Sequence, residues 1–306
     1  MRSISRRQFS TMLFSAAGLP LLDWHGIDEL FLSGPGEAGQ SLAFAYPLYD
    51  EAVAHVVPPN GFQSKIAFKD ALLTLVEGGA IDRGKFFRLY GNKGARPGEF
   101  ANFLTEPSDD PILLTSLNAV DYVNLLWPIG LTNYMATNAE SPIVGDSLYN
   151  FASTAGWTLA RELNGGTYFN QLPVVDLTKE EEERVVQIAK STYRPCCNNS
   201  TFFQDCNHGS ALLGLLELGA SQGLTDDELY AHALAFNSFW FPDYYIRTAL
   251  FFKVIKKTEW SDVDPRVILG RDYSAGGPWQ QNVAARVEKI PGLIPPAPGA
   301  GAGCGV

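Results

Sequence analysis

Apolar residues along this chain recur at helical spacing, and strict alternation is rare. Leu117, Val120, Val123, Leu125 and Leu126 share one broad face and predict a helix over residues 116–127. Thr115 or Ser116 would accept from the free N–H groups of its first turn, and Pro128 and Gly130 would stop it. Ile66, Leu72, Leu73 and Val76 predict another helix over 65–77, closed by Gly78-Gly79. Further helical patterns cover 85–90 and 149–163. The second half is plainer. Thr178-Lys179-Glu180-Glu181 and Thr225-Asp226-Asp227-Glu228 both fit the capping box and open helices to about 191 and 241. Asp205 is placed to cap a helix over 206–221, and 243–256 forms a further one with basic residues at its end.

Between these elements the chain reads as loop. Residues 23–60 carry Gly-Pro-Gly and Pro-Pro, 92–97 form a turn, and 131–170 are rich in Gly, Asn and Ser. Trp157, Tyr168 and Phe169 need burial partners, so that loop is expected to be ordered. No hairpin signature, internal repeat or heptad seam occurs. The fold class is therefore mainly α, an irregular multi-helix bundle or array with long ordered loops. One helical domain is expected over 23–290, with a sub-boundary near 170–177 and a Pro/Gly/Ala tail over 291–306 that carries Cys304.

The first 22 residues stand apart. Arg2, Arg6 and Arg7 precede a weakly apolar stretch, and no acidic residue interrupts them. Ser5-Arg6-Arg7-Gln8-Phe9 resembles the twin-arginine export motif. The resemblance covers this leader alone. It implies passage through the twin-arginine export machinery in a folded state and residence outside the cytoplasmic membrane, at the periplasm or cell surface. Ala43-Phe44-Ala45 is a late cleavage triplet, which leaves an uncleaved N-terminal anchor open.

Composition agrees with a packed body, at 46% hydrophobic and 18% charged residues. Losing the three leader arginines takes the net charge from −10 to −13. Such a body is a poor partner for nucleic acid, since phosphate contact needs clustered Lys and Arg. No stretch after the leader is long and apolar enough to span a membrane, so a soluble mature protein is expected.

Chemistry concentrates in residues 193–209. Three of the four cysteines (Cys196, Cys197, Cys206) and one of the four histidines (His208) fall there. Three readings stay open. Thiolate and imidazole suit a transition metal such as zinc, iron or copper, with these four residues as ligands. The spacing matches no standard module. Neighbouring cysteine side chains diverge, and Cys206 with His208 converges only if the helix begins after Cys206. The second reading is a non-catalytic helical binding protein stapled by a Cys196–Cys206 or Cys197–Cys206 disulfide. The third is a thiol hydrolase with Cys206 activated at a helix N-terminus. There Asp205-Cys206 ahead of an apolar helix resembles the Asp-Cys-Ser-Gly start of the catalytic helix in NlpC-type cell-wall peptidases, from which Asn207-His208 departs. His232 is the one histidine downstream and the base such chemistry would require. As a mid-helix residue it also reads as a core-edge histidine bonded to a neighbour. Arg194 is expected to brace Asp205 or a helix C-terminus. The aromatic run from Phe236 to Phe252 reads as core. His25 and His55 are weaker candidates. Walker, dinucleotide, His-Glu-x-x-His and Gly-x-Ser-x-Gly motifs are missing.

Overall fold

A computed structural model of the chain describes residues 46–91, 100, 102–146, 148–150 and 159–296. The leader, His25, the 92–97 turn, Trp157 and Cys304 lie outside the described residues. Helices dominate, as the sequence periodicity predicts. In chain order, helix α1 (Pro47–Val56) precedes strand β1 (Phe62–Gln63), α2 (Ala71–Gly78) and α3 (Arg83–Gly91). Strand β2 (Leu113–Leu114) pairs antiparallel with β1, Phe62 opposite Leu114. The long helices follow: α4 (Ala119–Thr132), α5 (Lys179–Ser191), α6 (Asn207–Ser221), α7 (Asp226–Trp240) and α8 (Pro242–Leu250). Helix α8 widens into a π-helical stretch, Phe251–Lys256. Four short helices close the fold, α9 (Pro265–Leu269), α10 (Arg271–Ser274), α11 (Gly276–Trp279) and α12 (Ala285–Val287). Residues Tyr46–Pro295 make up one contact-dense unit.

Where local signals are strong, elements start and stop as the sequence predicts. Thr178 Oγ1 accepts from Glu181 N at 3.2 Å, and the Glu181 carboxylate accepts from Thr178 N at 2.8 Å. Thr225 and Glu228 repeat the exchange at the head of α7. Each pair satisfies two N–H groups that a helix start leaves open. Gly79 closes α2 at φ 82°, a left-handed position suited to glycine.

Elsewhere tertiary structure overrides the local reading. The 23–60 stretch is not wholly irregular, because Pro47 at the first helical position and Asp50 in the first turn start α1. Helix α2 begins six residues later than position 65. Residues 66–69 instead exchange backbone bonds with the segment before β2, Ile112 N to Ile66 O and a reciprocal pair between Lys69 and Ser108. Helix α4 does not stop at Pro128 but runs to Thr132. The proline removes one helical hydrogen bond, yet every residue from Leu125 to Thr132 is buried and the helix is pinned from outside.

That pin is the crossing of α4 with α6. A β-carbon on Gly130 would lie 2.1 Å from Ser210 O, and one on Gly214 would lie 2.6 Å from Leu126 O. Two backbones therefore touch where side chains would normally separate them. This crossing anchors the larger core, which takes in Trp127, Phe236, Phe239, Trp240, Tyr168 and Phe169. A second core joins Ala52 and Val56 of α1 to Tyr245, Ile246 and Leu250 of α8, and to Trp279, Val283 and Leu293. Glu217 of α6 is wholly buried, and neither its carboxyl oxygens nor Asn133 Nδ2 reaches hydrogen-bond geometry. No helix among the described residues is long and apolar enough to cross a membrane.

Candidate metal centre

The cysteines sit where α5 gives way to α6. Beyond Ser191 the chain runs out, turns at 195–196 and comes back. Thr201 N donates to Thr192 O at 2.9 Å, their hydroxyls meet at 2.9 Å, and Tyr193 bridges Ser200 antiparallel. Residues of the last third clasp the loop. Gly276 N donates to Cys197 O at 2.9 Å, Gly277 N to Asn198 Oδ1 at 2.7 Å, and Tyr193 N to Leu269 O at 2.8 Å.

Arg194 organises the interior of this loop. Its side chain is completely buried, and a guanidinium carries five N–H donors in a fixed fork. Nη1 serves the carbonyls of Asn199 (2.8 Å) and Ser200 (2.5 Å), and Nη2 serves Phe203 O (3.1 Å) and the Asp205 carboxylate. Nε donates to Cys206 Sγ at 3.4 Å. Five acceptors for five donors fix the loop and pair the buried charge. The expected brace to Asp205 is present, and Asn199 Nδ2 completes it at 2.6 Å from the second carboxylate oxygen. With its carboxylate so engaged, Asp205 is not the cap of α6. Cys206 takes that place, extended at φ −150° and ψ 164°, its Sγ accepting from Gly209 N at 3.4 Å.

Around this frame the three sulfurs gather. The Sγ atoms of Cys196, Cys197 and Cys206 all lie within 4.8 Å of one another, with Cys196 and Cys206 3.5 Å apart. The divergence expected of adjacent cysteines is thus overcome by the turn that carries them. All three are free thiols, Cys196 exposed and the others partly so. Four-coordinate zinc with Zn–S near 2.3 Å separates its sulfurs by roughly 3.8 Å, inside the range seen here. Thiol hydrogen bonds from Cys196 and then Cys197, with the Arg194 guanidinium beside them, hold the Cys206 thiol far below its ordinary value. Hydrogen bonds to Cys197 and Cys206 push Cys196 up in turn.

The histidines lie apart from this grouping. His208 is in the first turn of α6, as a helix starting after Cys206 requires. Its ring lies tilted against Phe241 (4.5 Å between centroids) and edge-on to Trp240 (5.8 Å), and burial pulls its pKa down to about 4. It is not among the ligand atoms that gather at the sulfurs. His232 uses both ring nitrogens elsewhere: Nε2 accepts from Lys65 N at 3.0 Å and Nδ1 faces Glu228 O at 2.7 Å. That pairing fixes a neutral imidazole with its proton on Nδ1. His55 is exposed in the last turn of α1. Comparison with protein-family models, with curated proteins and with solved structures finds no match for this chain.

Sequence reasoning missed Gly209, whose absent side chain gives Arg194 its room: a β-carbon there would lie 2.4 Å from Nη2. The signal was a glycine three residues after the capping cysteine, in the first turn of the helix.

Proposed function

We propose that the 193–209 loop binds one soft transition-metal ion through the thiolates of Cys196, Cys197 and Cys206, for metal handling or electron transfer. The observation that carries this reading is the clustering of three sulfurs within 4.8 Å around an arginine-fixed frame. Soft sulfur ligands select zinc, copper(I) or iron over hard cations. Three thiolates leave a fourth position to a small external ligand or to His208 after a change of rotamer. We propose further that the chain leaves the cytoplasm by the twin-arginine route, on the strength of Arg6-Arg7 alone. A route for folded cargo agrees with a metal inserted before export.

Metal titration of the reduced full chain tests the centre. Cadmium(II), a spectroscopic stand-in for zinc, should bind once per chain and give the ultraviolet thiolate-to-metal band. Cys206→Ser should lose at least tenfold in affinity. Absence of the band, or a band unchanged in the Cys196/Cys197/Cys206 triple serine variant, would sink the metal reading. For export, Arg6→Lys with Arg7→Lys should keep the chain in the cytoplasmic fraction.

A further inference from the structure

The same sulfurs support a second chemistry that needs no metal. We infer that Cys196 and Cys206 form a reversible dithiol–disulfide couple that exchanges with low-molecular-weight disulfides, Cys196 attacking the external disulfide first and Cys206 closing the bond. Three observations converge on this pair. Their sulfurs stand 3.5 Å apart, so a bond of about 2.05 Å asks for a movement of roughly 1.5 Å. Cys196 is exposed on the turn, where an external disulfide can reach it, while Cys206 is only partly exposed. Cys206 Sγ is held by Arg194 Nε and Gly209 N, two donors that fix its position facing Cys196. Cys197 is differently engaged. Its carbonyl is bonded to Gly276 N, and its sulfur is directed to Asn199 O at 3.9 Å.

The exchange balances without a further reactant. The Cys196 sulfur attacks one sulfur of R–S–S–R as its proton passes to Cys206 Sγ, 3.5 Å away; the external bond breaks and one thiolate departs, taking up that proton before Cys206 reacts. The Cys206 sulfur then attacks the Cys196 sulfur of the mixed disulfide and expels the second thiolate. Two protein thiols are oxidised by two electrons, one external disulfide is reduced to two thiols, and the two protons released by the protein pass to them. The closed bond removes two of the three sulfur ligands proposed above. Metal and disulfide therefore exclude one another, a consequence that rests on the metal reading as the couple itself does not.

The test uses the reduced, chelator-treated full chain with oxidised glutathione as probe, followed by intact mass and peptide mapping. The wild-type chain should pass through a transient glutathione adduct on Cys196 to a Cys196–Cys206 disulfide. Cys206→Ser should stop at the adduct, and its hydroxyl keeps an acceptor for Gly209 N, so the helix cap survives. Cys197→Ser should still close the loop. A wild-type chain that stops at a stable adduct, or a bond that maps to Cys197 or Cys304, overturns the inference. The order of species in the wild type decides the matter even if a variant misfolds. In a parallel arm, cadmium should slow closure at least tenfold. A reduced chain that closes the disulfide yet takes up no cadmium keeps the couple and rejects the metal.

Discussion

At the scale of single residues, one buried arginine sets the geometry of the loop. Arg194 spends every donor on the segment that follows it, and Gly209 supplies the space. Gly209→Ala should destabilise the fold by about 1–3 kcal/mol through overpacking and weaken cadmium binding at the same time, because displaced Nε no longer holds Cys206. Urea unfolding and the cadmium titration check both halves. Part of this was legible in the sequence. Crowded sulfur marked the loop, and Arg194 with Asp205 was one of the braces it offered; a helix starting after Cys206 was the condition for Cys206 and His208 to converge, and the helix does start there without bringing His208 to the sulfurs. The rest was not legible for a physical reason. Three of the five acceptors on Arg194 are backbone carbonyls, of Asn199, Ser200 and Phe203, and residue type does not encode where a carbonyl points. His208 likewise meets Phe241 and Trp240, over thirty positions downstream.

At the scale of elements, the same division holds. Capping boxes are local, so Thr178 and Thr225 marked their helices correctly. The end of α4 is not local, because Pro128 would stop an isolated helix and the contact with α6 carries it on. The two kinds of signal should differ in magnitude. Thr225→Ala removes one cap and should cost about 1 kcal/mol. Gly214→Ala forces the α4 and α6 backbones apart and should cost more, on the order of 3 kcal/mol, since no flexible side chain can yield there. Equilibrium denaturation of both variants gives the comparison, and equal losses would mean that the crossing relaxes freely.

At the scale of the whole molecule, two buried groups make stability depend on pH in opposite directions. Burial pushes the Glu217 carboxyl well above the ordinary range, while the nearby Asn133 amide draws it back only in part. The folded state thus binds this proton more tightly than the unfolded one. Its contribution is complete below about pH 4.5 and is lost as pH rises toward the elevated value. His232 runs the other way. Burial lowers its pKa, so its contribution is complete above about pH 6.5 and is lost as pH falls. Glu217→Gln removes the first dependence alone. Its stability relative to wild type should increase between pH 5 and pH 8, as read from urea midpoints; parallel curves would show that the carboxyl does not titrate differently on folding.

The second core has a consequence for synthesis. Its floor, Ala52 and Val56, emerges early, whereas Trp279, Val283 and Leu293 emerge some two hundred and thirty residues later. A nascent chain has nothing from this core with which to cover that floor until α8 has emerged, and the cover is incomplete until Leu293 follows. This core therefore closes only after its last members are made, and a product ending before Trp279 should be protease-sensitive at α1 as well as at its new end.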